Sequence, residues 1–532
     1  MKKWKLADIL WPVAMFVFTF FVYASVNIYL GNQESFSFYI RDYLPCALVI
    51  AIPVVIVAVG LYILLKGKGK AVWAAVVFAV GVATFLQGSF LNPDYGTLDG
   101  RGIRWGDYAG YAVANTAIWV ALIAAAVVFA ILKWDAMKSV VRYGSILMLV
   151  YEAIMLAMML FTNPVQWEGQ DWVVTDRNAN TLSSKNNTVI FLVDACDSTY
   201  FQKILDEEPQ VVEDWDGFVY YSDFVGSYSK TKMSLTYLLS QKWYENEQPT
   251  KEFVDAAFDD VPLFEELVAA DYDLGIYTSS KYISPSLMDK VGNLLPGHLI
   301  VADHFGLANQ MLELTMFSYG PHLVKPWFEF YSGAFGAYYG TDNGEELYSK
   351  NNFTFAEMAA MPFELTDRNV FRFYHLVGSH LPCNMNAEGE YVGEWRSTAY
   401  EQTKGVFKSI TAFMNQMKEL GIYDDATIIV TADHGLSGHV HDGEPLDLPQ
   451  AAPVLMMVKL PDCDLSQPLR TDLAPVCHDD LFATVEQGQG VAVSGTGSGK
   501  TFADFHEGDP RDRYYEHTMV RHSNNGDIAL RE

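Results

Sequence analysis

Five long apolar runs, at positions 9–30, 43–65, 71–91, 109–132 and 143–161, fill the first third of the chain. Each is close to or above the ~20 residues that a helix needs to cross the hydrocarbon of a bilayer. A cleaved signal peptide has a shorter apolar core and is not followed by four more runs. Length alone disfavours buried soluble helices. The expectation is a transmembrane bundle of five helices over 1–162, and a multi-pass membrane protein.

Basic residues set the expected orientation. Lys2, Lys3 and Lys5 precede the first run, Lys66, Lys68 and Lys70 fill the link after the second, and Lys133, Lys138 and Arg142 flank the link after the fourth. The alternate links, 31–42 and 92–108, mix basic residues with Glu34, Asp42, Asp94, Asp99 and Asp107. Lys and Arg favour the cytoplasmic side, so the amino terminus is expected there. An odd number of spans then carries everything after Thr162 to the outer face. Glu152 falls in the middle of the fifth run, where a carboxyl is costly, so it is expected to face another helix or a polar cavity. A structural hydrogen bond and a contact with a lipid substrate are both open to it.

The segment 163–185 is polar and reads as a linker, and 186–532 reads as an outer globular domain rich in Asp and Glu. The formal net charge of −28 leaves no basic stripe for phosphate backbones, so no nucleic-acid partner is expected. Five cysteines are too few for a disulfide framework. Cys463 and Cys477 could pair in an oxidising space, but unpaired buried thiols are the plainer reading. Strands are expected at 188–193, 274–277, 370–376, 427–431 and 453–458, and a helix at 398–420 carries Val406, Ile410, Phe413, Met417 and Leu420 at helical spacing. Near-continuous runs such as TVIFLV suit strands buried on both faces. Strands alternating with helices predict an α/β domain with a mostly parallel, doubly wound sheet. Ligands in such sheets bind beyond the carboxyl ends of the strands.

Two of these strands end in chemistry. TVIFLV runs into Asp194, and ATIIVTA runs into Asp433-His434-Gly435. Two carboxylates and an imidazole could meet on one divalent cation, and such ligands suit manganese, zinc or magnesium. An Asp at a strand end is, taken alone, more often a cap or turn residue.

Between those strands stands Ser229-Lys230-Thr231-Lys232-Met233-Ser234-Leu235-Thr236-Tyr237-Leu238-Leu239-Ser240. With this segment the chain resembles the alkaline phosphatase superfamily, in particular the sulfatase-like branch with lipoteichoic acid synthases and phosphoethanolamine transferases. Those transferases use a Thr three residues before a Ser, as Thr231 and Ser234 stand here. Gly378-Ser379-His380-Leu381-Pro382, Gly421-Ile422-Tyr423-Asp424-Asp425-Ala426-Thr427 and Pro475-Val476-Cys477-His478-Asp479-Asp480-Leu481 are similar to further segments of the family. The resemblance implies a sulfatase/alkaline phosphatase-like fold and one metal ion held by Asp194, Thr231, Asp433 and His434. It implies Thr231 as nucleophile, His380 as a group that contacts the phosphate or protonates the leaving group, and His441 as a substrate-binding histidine. His439 and His441 also read as solvated loop residues. Lipoteichoic acid synthases commonly carry Glu at the place of Asp194.

Sulfatases of this branch convert a primary Cys or Ser side chain to an aldehyde, which the methyl-bearing carbon of Thr231 cannot become. Leu235 also stands where their Arg follows. The expected activity is thus a metal-dependent phosphotransferase acting through a phospho-threonine intermediate on a lipid- or glycan-linked phosphate at the cell surface. A phosphodiesterase or phosphatase of the same superfamily and a catalytically silent surface-binding protein are the competing readings. Ser494-Gly495-Thr496-Gly497-Ser498-Gly499-Lys500-Thr501 is close to a phosphate-binding loop, but the first position is Ser and no convincing helix follows. It reads as a turn, and no nucleotide is expected. The aromatic stretch 327–339 reads as core packing or a membrane-surface contact.

Overall fold

The computed structural model describes residues 4–33, 36–96, 102–164, 170–435, 440–441, 444–445, 454–491, 494–517, 520–523 and 528–529. The chain divides into two compact units, Met1–Gln170 with Leu299–Asp342, and Asp171–His298 with Asn343–Glu532.

The first unit holds five helices long and apolar enough to cross a membrane: α1 (Ala7–Gly31), α2 (Ile40–Leu64), α3 (Lys68–Phe90), α4 (Trp105–Leu132) and α5 (Trp134–Thr162). Ile52, Ile56 and Ile63 of α2 are exposed, while Tyr43, Ala47 and Ala51 of the same helix are buried. That inversion of the soluble pattern is what a lipid-facing helix requires. Within α1, Phe18–Ala24 winds as a π-helix. There the Thr19 hydroxyl donates to both oxygens of Glu152 on α5, at 2.8 and 3.0 Å. Both residues are fully buried, so the expected helix-facing partner of Glu152 is Thr19.

The remaining part of this unit differs from the expected domain boundaries. The segment 299–342, read from sequence as outer domain, groups with the apolar helices. Its stem is an antiparallel pair, Leu299–Val301 with Tyr339–Thr341. Its helix, His304–Tyr319, packs Leu307, Ala308 and Met311 into one cluster with Phe20, Phe21, Tyr43 and Ala47. Phe330 and Phe335 of the aromatic stretch join that cluster, while Trp327 is exposed. Burial of these rings is the physical reason the segment leaves the second unit. The segment expected as linker also carries two strands, Trp172–Val174 and Thr181–Ser183. Trp172 and Leu182 are part of the second unit's core.

The second unit is built on a seven-stranded sheet of β1 (Asn187–Val193), β2 (Val219–Tyr221), β3 (Tyr272–Tyr277), β4 (Asn369–Leu376), β5 (Thr427–Thr431), β6 (Met456–Lys459) and β7 (Arg470–Asp472). The order across the sheet is β7-β2-β6-β5-β1-β4-β3. Pairings β1–β4, β1–β5, β3–β4 and β2–β7 are parallel, and β6 runs antiparallel to both β5 and β2. All seven residues of β1 are buried, as a central strand covered on both faces demands. The helix Ala399–Glu419 lays Val406, Phe407, Ile410, Phe413 and Met417 on this core, with Phe413 edge-on to Phe191 of β1. The turn that leads into β5 is tied by Lys459, whose buried Nζ donates to the carbonyls of Tyr423, Asp424 and Ala426.

The phosphate-loop look-alike is a turn with Gly495, Gly497 and Gly499 at positive φ. A Cβ on Gly497 would stand 2.2 Å from the Asp479 carbonyl, so this glycine is required by packing. The loop runs into a short 3-10 turn, Phe502–Asp504. All five cysteines are free, and Cys477 Sγ accepts from Arg511.

Candidate active site

Strands β5, β1 and β4 are neighbours in the sheet, so their carboxyl ends open on one place. Asp194 follows β1, Asp433 and His434 follow β5, and His375 sits one residue before the end of β4. The helix Thr231–Ser240 starts at the same place, with Thr231 as its first residue and Lys230 extended before it. Ser234, one turn on, is buried and donates from Oγ to the carbonyl of Asp433 at 2.6 Å. The Thr-x-x-Ser spacing thus has a local cause, because the serine pins the helix start to the end of β5.

Asp433 is fixed through one oxygen. Its Oδ1 accepts from the backbone N–H of His434 at 2.9 Å and from that of Ala195 at 3.1 Å. Ala195 reaches it by adopting φ +57°, a left-handed conformation that a residue with a Cβ takes at a cost. Asp194 is set from the other side. Gly378, at φ +63°, lies so close that a Cβ there would be 2.4 Å from the Asp194 nitrogen. The following Ser379 N–H donates to the Asp194 carbonyl at 2.9 Å.

The Thr231 hydroxyl lies 3.1 Å from His434 Nε2. The same nitrogen is 3.4 Å from Asp433 Oδ2 and 3.7 Å from Asp194 Oδ1. His434 Nδ1 donates to the Gly435 carbonyl at 2.8 Å, which leaves Nε2 as the bare, ligand-ready nitrogen. The four residues expected from sequence therefore come together. Asp194 Oδ1 and Asp433 Oδ2 are buried with no hydrogen-bond partner among the described residues. Two unpaired carboxylate oxygens in a buried pocket are costly unless a cation meets them. Two carboxylates, a hydroxyl and an imidazole nitrogen form a donor set that fits a hard or borderline divalent ion.

Two further residues belong to the centre and escaped the sequence reading. His375 and Asp194 lie side by side, with His375 Nε2 3.4 Å from Asp194 Oδ2 and Nδ1 2.8 Å from the Thr278 hydroxyl. Asp194, His375 and Asp433 offer ligand atoms all within 4.8 Å of one another. Burial, helped by the Lys350 charge, pushes the His375 imidazole down to about 4, so at neutral pH it is an uncharged donor to Asp194. Lys350 is the second residue, its Nζ bonded to Asp194 Oδ2. Burial alone would raise the Asp194 carboxyl. The Lys350 ammonium, together with the nearby His380, the His375 hydrogen bond and His434, outweighs it and holds the group well below the usual carboxylate range. A polar break in the apolar run FRFYHL was the one available signal for His375. Lys350 had none, standing in a loop before the helix Asn352–Ala360.

His380 is in the surroundings of Asp194, and its Nδ1 donates to the Leu381 carbonyl at 2.7 Å. His441 pairs through its backbone with Glu444, but its side chain lies outside the described residues, as does the whole of His439.

No protein-family model matches the sequence, and no curated protein matches it. Solved structures similar in fold include the lipoteichoic acid synthase LtaP from Listeria monocytogenes, at 13% identity and TM-score 0.37, covering 65% of this chain and 82% of that one. A protein in the alkaline phosphatase superfamily from Vibrio parahaemolyticus matches at 10% identity and TM-score 0.38, covering 66% and 77%. The C-terminal periplasmic domain of EcEptC from Escherichia coli matches at 12% identity and TM-score 0.34, covering 68% and 95%.

Proposed function

We propose that this chain is a membrane-anchored phosphotransferase with Thr231 as nucleophile, in which Asp194, Thr231, Asp433 and His434 hold one divalent cation. The observation that carries this reading is the Thr231 hydroxyl lying 3.1 Å from His434 Nε2, beside two buried carboxylate oxygens that lack partners. An unaided threonine hydroxyl is a poor nucleophile. A manganese, zinc or magnesium ion bound there supplies Lewis acidity, lowering the hydroxyl pKa and drawing charge from the transferring group.

The chain's own groups do the rest. Ser234 and the Asp433 carbonyl hold the start of the helix Thr231–Ser240, and an anion is favoured at that end by the helix dipole. The Thr231 hydroxyl would lose its proton to water, its Oγ would attack phosphorus with a new O–P bond forming, and the bond to the leaving alcohol would break. His380 gives the departing oxygen its proton. An acceptor hydroxyl then attacks the phospho-threonine and frees Thr231, with a sugar or lipid alcohol as acceptor in transfer and water in hydrolysis. The basic links around α1, α2, α4 and α5 support a cytoplasmic amino terminus and an outer catalytic unit, where lipid- and glycan-linked phosphates are at hand. His441 is assigned to the substrate side.

The test uses the full chain with manganese and bis(4-nitrophenyl) phosphate. Thr231→Ala is expected to abolish turnover and the covalent adduct on the Thr231 peptide, with expression and melting unchanged. Turnover that survives the substitution removes Thr231 as the nucleophile. A glycan acceptor that speeds breakdown of the adduct favours transfer, and indifference to it favours the hydrolase. No turnover by a manganese-loaded wild type would leave the silent binding protein.

A further inference from the structure

The two oxygens of Asp194 face different neighbours. Oδ1 is buried, lacks a hydrogen-bond partner among the described residues and lies 3.7 Å from His434 Nε2. Oδ2 is taken by the Lys350 ammonium and approached by His375 Nε2 at 3.4 Å. The Asp194 side chain is 1% exposed and that of Lys350 22%, so the ammonium reaches a buried carboxylate from the margin of the site. His375 donates to this oxygen from Nε2, while its Nδ1 accepts from the Thr278 hydroxyl at 2.8 Å. Asp433 has no ammonium of its own among the described ion pairs. Its contacts are the two backbone amides and, at 3.4 Å, His434.

This leaves two buried carboxylates with one fixed positive charge between them. A carboxylate pair of this kind is expensive to bury without compensation. One ammonium neutralises half of it and leaves the Oδ1 side of Asp194 open. A divalent ion entering on that side meets a carboxylate already shared with a cation, and the two positive charges repel across it. The lysine therefore favours the folded site before the ion arrives and opposes the ion afterwards. The sharing also orients Asp194, since turning Oδ1 away from His434 would break the Lys350 bond.

We propose that Lys350 is a positioning residue of the centre, a built-in counter-cation that holds Asp194 in the ion-free protein and contends with the divalent ion for it. The inference rests on the reading that Asp194, Thr231, Asp433 and His434 hold such an ion. It goes beyond that reading because it sets how tightly the ion is held and what keeps the pocket formed without it.

The experiment strips the full chain, in detergent, with a chelator, then titrates manganese calorimetrically and records melting in the chelator. Removing the charge with Lys350→Met is expected to tighten manganese binding by about tenfold or more, while lowering the melting temperature of the ion-free protein. Lys350→Arg, which keeps the charge, is expected to bind within about threefold of wild type. Lys350→Met binding manganese as wild type does, or more weakly, overturns the inference and leaves the metal centre standing. Should Lys350→Met not fold, a Lys350→Arg protein binding about tenfold tighter overturns it equally. A wild type that takes up no manganese overturns both readings.

Discussion

Asp433 keeps one oxygen on backbone amides and turns the other into the pocket, and Asp194 divides its oxygens between Lys350 and an open side. That division is the residue-level basis for a cation site, because a carboxylate satisfied on every lone pair would have nothing to offer an ion. A second buried group makes a separate prediction. His478 is buried, and its Nδ1 accepts from the Ser227 N–H at 3.1 Å. Burial pushes its imidazole from the ordinary 6.5 down to about 3, against a smaller opposing effect of the Ala432 backbone. Above pH 6.5 the ring is neutral whether the chain is folded or not, and its contribution to stability is complete. Below that pH the unfolded chain takes up a proton that the folded one refuses, so stability falls as pH drops towards 3. The expected slope from this residue is about one proton, or ~1.4 kcal/mol per pH unit, in that window. Denaturant unfolding at several pH values should show the slope in wild type and lose it in His478→Gln. Equal slopes in the two proteins would contradict the assignment.

Among the elements, the loop after β4 has little freedom. Gly378 combines φ +63° with a would-be Cβ 2.4 Å from the Asp194 nitrogen, whereas Gly344, at φ +79°, has nothing within 4 Å. Gly344→Ala should therefore show conformational strain alone, about 1–2 kcal/mol. Gly378→Ala should add the cost of overpacking, about 1–3 kcal/mol more, and displace Asp194, so manganese binding weakens with stability. Equal unfolding midpoints for the two variants would contradict a packing role for Gly378. The same elements show what could be read beforehand. The strand runs are long and apolar because β1, β4 and β5 are interior strands, and that pattern survives in one sequence without any partner. Asp194, Asp433 and His434 stood where those runs stop, and Thr231 and Ser234 carried their own spacing. Lys350 and the Gly378 contact depend on which loops the sheet brings together, and no local pattern encodes that. The antiparallel direction of β6 was hidden for the same reason, since strand propensity carries no sign of direction.

Across the whole molecule, the chain leaves the second unit at His298, spends Leu299–Asp342 among the apolar helices, and returns at Asn343. This segment has no long apolar run, only an aromatic stretch, so its burial against Tyr43, Ala47 and Phe21 was not legible in advance. The proposed orientation makes a prediction at this scale. Lys68→Cys, at the first residue of α3, should resist an impermeant maleimide in intact cells and react once the cells are opened. Labelling in intact cells would place the amino terminus outside and the second unit inside. A single ion held against Thr231 by two strand ends and one helix start would be seen in manganese anomalous diffraction from crystals of the full chain. One anomalous peak is expected, in contact with Asp194, Thr231, Asp433 and His434 together. A peak elsewhere, or none at saturating manganese, would contradict it.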